Sequence, residues 1–101
     1  MTFSPANSRT PQAIAVAITD DAVSIDLLDG RTLSVPIVWY PRLAHGTPTE
    51  RANWRLIGRG EGIHWPDLDE DLSVDSLLAG RASQESQNSL DKWLQARKAA
   101  G

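Results

Sequence analysis

Residues 54–78 read WRLIGRGEGIHWPDLDEDLSVDSLL, and the breaks within this stretch decide the fold class. Trp54 and Leu56 alternate with Arg55 and Ile57, which is the period of a strand. Gly58, Gly60 and Gly62 then break any helical run and permit a bulged or left-handed connection. Ile63, His64 and Trp65 resume the extended pattern until Pro66 closes it, so residues 54–57 and 63–65 are expected to pair as a hairpin. Past the acidic residues 67–71, Ser73 suits a helix N-cap, and Asp75 falls in a first turn where the helix dipole favours negative charge. Leu72 and Leu77 have the spacing of a hydrophobic staple, and Gly80 ends this short helix.

Upstream, Ile14, Val16 and Ile18 alternate with alanines, and Val23, Ile25 and Leu27 alternate with small or polar residues after an Asp20-Asp21 interruption. Asp29-Gly30 offers a pair that tolerates positive φ in a tight turn, and Leu33 and Val35 return on one face until Pro36 ends a third strand. A helical turn is expected over residues 41–44, with Gly46 to end it. Thr47-Pro48-Thr49-Glu50 then supplies N-cap, N1 proline and capping-box glutamate for another short helix. Downstream, a polar linker over residues 82–88 leads to a last helix with an apolar stripe of Leu90, Trp93 and Leu94, and with Lys92, Arg97 and Lys98 toward its C-terminal end. That stripe is narrow, so the helix either docks on its own domain or waits for a partner.

The resulting class is α+β: a small, mainly antiparallel sheet, made of a three-stranded meander plus a hairpin, with short helices and a C-terminal helix. The expected organisation is a flexible tail over residues 1–11, the α+β domain over 12–80, and the linker and amphipathic helix over 81–101. A chain of 101 residues supports one core. It has no cysteine, which excludes disulfides, thiolate zinc sites and cysteine nucleophiles. The first residues lack the flank, apolar run and cleavage site of a secretory signal, and no apolar run reaches membrane-spanning length, so a cytoplasmic protein without membrane association is expected. The net charge of −3 conceals a segregation. Residues 31–60 hold Arg31, Arg42, Arg51, Arg55 and Arg59 against Glu50, whereas residues 61–84 hold Glu61, Asp67, Asp69, Glu70, Asp71 and Asp75 against Arg81. The simplest expectation is that these regions pair; otherwise they make two surfaces of opposite sign. The acids at 67–71 either cap and solvate the turn before the Ser73 helix or pair with arginines such as Arg51 and Arg55.

Asp29-Gly30-Arg31 leading to Val35-Pro36, Tyr40-Pro41-Arg42-Leu43, Glu50-Arg51, Trp54, residues 60–65, residues 68–73 and Leu77-Leu78-Gly80 together resemble the bacterial domain of unknown function 2442 family. The resemblance runs from about residue 13 to residue 80 and is most specific over residues 62–73. It implies a small α+β domain without an established activity or agreed catalytic residues. It further implies two contexts: a DNA-reading helix-turn-helix domain following it, or a stand-alone protein encoded beside a second small protein, an arrangement like that of a toxin and antitoxin. The residues after Gly80 are too few for a helix-turn-helix domain, which favours the second context.

Local motifs for chemistry are weak. His45 and His64 have no metal-ligand spacing. Asp67, Asp69 and Asp71 begin like a calcium loop, but Leu72 stands where glycine is required and Leu78 where a bidentate glutamate belongs. The glycines at 58, 60 and 62 are followed by a strand, not by the helix N-terminus that a phosphate cradle needs. No serine lies in a nucleophile elbow. No cofactor, no metal and no enzymatic activity are therefore expected. The leading expectation is an interaction module, antitoxin-like or regulatory, that binds a protein partner or a further copy of itself. Its candidate contact residues are Trp39, Asp67, Asp69, Glu70, Asp71, Leu90, Trp93 and Leu94, since tryptophan is typical of interface hot spots. One alternative is a nucleic-acid-associated transcriptional regulator, against which the acidity speaks. The other is an enzyme using His64, expected to face away from Ile63 and Trp65 and to hydrogen-bond a nearby acid or a backbone carbonyl, with a neighbouring acid as a proton-transfer pair.

Overall fold

The computed structural model describes residues 11–100, so the tail expected over residues 1–11 lies, apart from Pro11, outside the described residues. Strands β1 (Ala13–Ile18), β2 (Ala22–Leu27) and β3 (Thr32–Pro36) form an antiparallel meander in that order. Their register aligns Val16, Ile25 and Leu33 across the sheet, and Ile18, Val23 and Val35 beside them. One face thus collects branched apolar side chains. The other carries Ala17, Ser24 and Ser34, with the Ser24 hydroxyl 3.2 Å from that of Ser34. Of the Asp29-Gly30 pair, Gly30 alone takes a positive φ, 95°, and the Asp29 carboxylate accepts from the Arg31 backbone and guanidinium instead.

After Pro36 the chain makes a 3₁₀ turn (Ile37–Trp39) and two short helices, α1 (Pro41–Ala44) and α2 (Pro48–Ala52). The capping box on α2 is complete: Glu50 N–H donates to Thr47 Oγ1 at 3.1 Å, and Thr47 N–H donates to Glu50 Oε1 at 2.9 Å. A second antiparallel sheet follows, with β4 (Arg55–Ile57), β5 (Gly62–Trp65) and β6 (Glu70–Ser73) in sequence order. The expected hairpin is therefore two strands of three. Residues 70 and 71 read as part of an acidic turn, and Leu72 and Ser73 as the entry to a helix, because Glu and Asp have low strand propensity. In the fold, Leu72 pairs beside Ile63 on the core side while Asp71 faces outward beside His64, so an inside-outside alternation is present despite the polar letters. Ser73 is at once the last residue of β6 and the N-cap of α3 (Val74–Leu78), accepting from Ser76 N–H at 3.0 Å. The last element is α4 (Gln87–Ala100).

A single core joins both sheets: Val23, Ile25 and Leu27 from the first, Ile63, Trp65 and Leu72 from the second, with Leu43, Leu68 and Leu77 between. Trp65 is fully buried, and its indole N–H donates to the Arg51 carbonyl at 3.0 Å, so the largest core side chain has its one polar atom satisfied. The sheets touch where Ala13 N–H donates to Gly60 O at 2.7 Å. Gly60 has φ 94°, and a Cβ there would stand 2.4 Å from the Ala13 carbonyl oxygen, so only glycine fits this junction.

Candidate functional site

The acidic turn is built by an arginine from a different element. Pro66 ends the β5 pairing, Leu68 turns inward to become fully buried, and Asp69 adopts a left-handed φ of 49°, an uncommon conformation for a side-chain-bearing residue. Arg42 on α1 holds that geometry. Its Nη1 donates to the Asp69 carbonyl at 3.1 Å and lies 3.6 Å from the Asp69 carboxylate, while Nε and Nη2 reach Glu85 at 2.9 and 2.6 Å. Asn53 donates to Asp67 at 2.8 Å from the other side. The Asp69 side chain itself is 88% exposed.

Arg51 and Arg55 do not meet these acids as expected. Arg51 donates to the Leu43 and Ala44 carbonyls at 2.9 Å each, satisfying the end of α1, and pairs with Asp20 across the β1–β2 turn. Arg55 makes no ion pair among the described residues and stands opposite His64 on the outer face of the second sheet. Arg42 is the residue that sequence reasoning passed over as a functional candidate. An arginine on a four-residue helix has no periodic partner, and Glu85 lies 43 positions away.

The same arginine anchors the C-terminal helix. The Trp93 ring has the Arg42 guanidinium 5.0 Å and the Arg97 guanidinium 4.7 Å from its centroid, within cation–π range. Arg97 in turn forks onto Glu50, at 2.8 and 3.0 Å. Glu50 thus caps α2 and receives α4 with one carboxylate, and the Arg97 hydrogen bonds, followed by the Thr47 amide, hold its pKa down to about 2. Glu85 is lowered chiefly by Arg42, whose own pKa is raised by the same hydrogen bonds. Leu90 is buried and Trp93 and Leu94 are half-buried, so the stripe faces its own domain in this structure. Trp39 sits apart, half-buried in the 3₁₀ turn, with its carbonyl accepting from Ser83 N–H at 2.9 Å.

The four acidic candidates, adjacent in sequence, point different ways. Asp71 meets His64 Nδ1 on the outer face of the second sheet, as expected of a histidine facing away from Ile63 and Trp65. The carboxylate can hold the imidazole with its proton on Nδ1, leaving Nε2 as a potential acceptor. Glu70 points to the other side, into a cleft of about 540 Å³ lined by Tyr40, Ser73, Ser76, Ser83 and Gln84. Burial raises the Glu70 carboxyl, against an opposing hydrogen bond from Asp71 N–H; burial also raises the Tyr40 phenol, whose O–H donates to the Arg81 carbonyl at 2.8 Å. His45 is exposed at the end of α1, and among the described residues no three His, Asp or Glu groups converge to hold a metal ion. No helix among them is long and apolar enough to cross a membrane.

The family model described as Protein of unknown function (DUF2442) matches residues 13–83. The chain belongs to the DUF2442 family. No curated protein matches it. A protein of unknown function from Rhodospirillum rubrum ATCC 11170 has a similar solved structure, with a TM-score of 0.65 and 27% identity over 78% of this chain and 98% of that one. An uncharacterized protein from Chromobacterium violaceum has a TM-score of 0.62 at 20% identity, covering 80% of this chain and 74% of that one, and shares the fold. The DUF2442 match contains Arg42, Glu50 and the acidic turn, whereas Glu85 and all of α4 lie beyond residue 83. Three polar or aromatic side chains beyond the match therefore reach back into the DUF2442 segment beside the buried Leu90: Glu85, just before α4, and Trp93 onto Arg42, and Arg97 onto Glu50.

Proposed function

We propose that this DUF2442 protein is a small interaction module, antitoxin-like or regulatory, that offers its acidic turn to a basic surface of a partner protein. The observation that supports this reading is the Asp69 carboxylate, 88% exposed on a backbone that Arg42 holds in a left-handed conformation. A loop already ordered loses little entropy on binding, and an exposed carboxylate contributes chiefly to association rate and discrimination. Asp67, two residues earlier in the same turn, is oriented by Asn53. The net charge of −3 disfavours a phosphate-bearing partner.

The test is a nuclease-treated pull-down of the tagged protein from its host under native conditions. Wild type is expected to retain one stoichiometric protein, and a Asp67→Asn, Asp69→Asn double variant with an unchanged circular dichroism spectrum is expected to lose it. A preparation with nothing bound, or a variant that binds as well as wild type, would sink the proposal. The His64–Asp71 pair favours a second reading, proton transfer at the outer face of the second sheet. That reading fails if His64→Ala leaves the cellular phenotype of the gene unchanged.

A further inference from the structure

The four outer strands of the two sheets are not equally protected. A strand edge left bare is a template for pairing, and proteins blunt such edges with proline, charge, shortness or a covering segment. β3 ends in Pro36, which has no N–H to offer. β4 is three residues long and begins with Arg55. On β6 the outward N–H of Asp71 is taken by the carboxylate of its neighbour Glu70 at 3.1 Å, and Ser73 passes into the cap of α3. Among the described residues, β1 has none of these devices. It reads Ala-Ile-Ala-Val-Ala-Ile, six residues without charge or proline, and Ile14 and Ala17 are exposed.

Among the described residues this edge is closed at its ends, by Gly60 at Ala13 and by the Arg51–Asp20 pair at the turn, and α2 packs beside it. The bond from Thr19 N–H to Ala22 O sets the alternation of the β1–β2 ladder. By that alternation Val16 and Ile18 direct their N–H and C=O groups away from β2, where no partner meets them among the described residues. Beside them runs a groove of about 550 Å³, lined by Val16, Ile18, Pro48, Ala52 and Trp54.

We infer that this edge pairs with its counterpart in a second copy of the chain, β1 against β1 antiparallel about a two-fold axis at Ala17, so that the two first sheets merge into one. Two N–H and two C=O groups at strand spacing are matched by another strand and not by a helix or a side-chain surface. Pairing about Ala17 sets Val16 of each copy against Ile18 of the other in a hydrogen-bonded pair, which satisfies all the bare groups with one contact. Val16 and Ile18 then bring apolar side chains over the groove floored by Trp54. The pairing runs over residues 15–19, short of Gly60 at Ala13 and of the Asp20-Asp21 turn, so no like charges face across the junction. Such an interface is isologous and closes at two copies. It does not depend on the acidic turn or on the interaction reading above.

Sedimentation velocity of the full chain from micromolar to millimolar concentration tests it. Wild type is expected to pass from one chain to two, with amide exchange at Val16 and Ile18 slowing in step. Ala17→Arg puts two guanidiniums face to face in a non-hydrogen-bonded pair, on a side chain that is exposed in the single chain; it is expected to weaken the dimer about fivefold or more. Ser34→Arg, on the same face but two strands away, is expected to leave it intact. Mixing Ala17→Arg with Ala17→Asp is expected to restore pairing, which separates a lost interface from a lost fold. A wild type that stays single at the highest concentration, or Ala17→Arg that pairs as well as wild type, would overturn the inference.

Discussion

The two sheets, each of three antiparallel strands, hold themselves together in different ways. The first uses strands of five and six residues whose apolar side chains, apart from Ile14 at a bulge in β1, alternate onto the core, and its turns are closed by local groups such as Thr19 and Asp29. The second uses strands of three and four residues, and long polar side chains from elsewhere fix its surroundings. Arg42 holds the β5–β6 turn, Asn53 holds Asp67, and the Arg51 carbonyl receives the Trp65 indole. A sheet with enough backbone pairing and burial tolerates loss of any one surface group. A short-stranded sheet concentrates its stability in a few side-chain contacts, and those contacts also present the charged surface of the molecule.

Substituting Trp65, which belongs to the core of both sheets, should erase this difference. Trp65→Ala removes a fully buried side chain and its bond to Arg51, and is expected to cost about 3–5 kcal/mol in denaturant unfolding, with both sheets lost together. Arg42→Gln should expose the difference instead. It leaves Glu85, 12% exposed, and the Asp69 carbonyl without their charged donor, for which about 1.5–3 kcal/mol is expected. Hydrogen exchange should then quicken over residues 66–73 and in α4 while β1 to β3 keep their protection; uniform quickening would contradict the contrast.

Acid should give the smallest and most local effect. The Glu50 carboxyl is lowered from 4.5 to about 2 by Arg97 and the Thr47 amide, so its contribution is present above pH 4.5 and lost as pH falls toward 2. Glu85, lowered by Arg42, acts in the same direction. NMR shifts of α4 are expected to report its release within that window ahead of the sheets, and Arg97→Gln should remove most of the pH dependence. A helix that stays docked to pH 2, or a variant that keeps the wild-type profile, would show that α4 is held by Leu90 and Trp93 alone.

The alternation of β2, β3 and the second half of β1 was legible because each apolar position lies two residues from the next and Pro36 marks the end; Ile14 departs from it, because a bulge between Ala13 and Ala15 turns Ala13 into the core and leaves Ile14 exposed. The capping boundaries of α2 and α3 were legible because Thr47, Glu50 and Ser73 act within three residues of themselves. The third strand of the second sheet was not. Glu70 and Asp71 carry a turn-like composition, and their pairing depends on β5 being in place beside them. The acidic turn was recognised as a unit, but its supporting arginine was taken to be Arg51 or Arg55, because charge along a sequence gives sign and not direction. In the fold the two arginines serve elsewhere, Arg51 at the end of α1 and Arg55 on the outer sheet face, and Arg42 stands at the turn.

What the sequence determined by itself was therefore everything that rests on near neighbours: the α+β class, the hairpin, the caps, the breaks at glycine and proline, and the outward turn of His64. Tertiary structure alone decided that residues 70–73 complete a sheet, that Arg42 ties the acidic turn to Glu85 and Trp93, and that no other strand among the described residues pairs with the outer edge of β1. These features join residues tens of positions apart, and their geometry follows from how two sheets share one core, which no local pattern encodes.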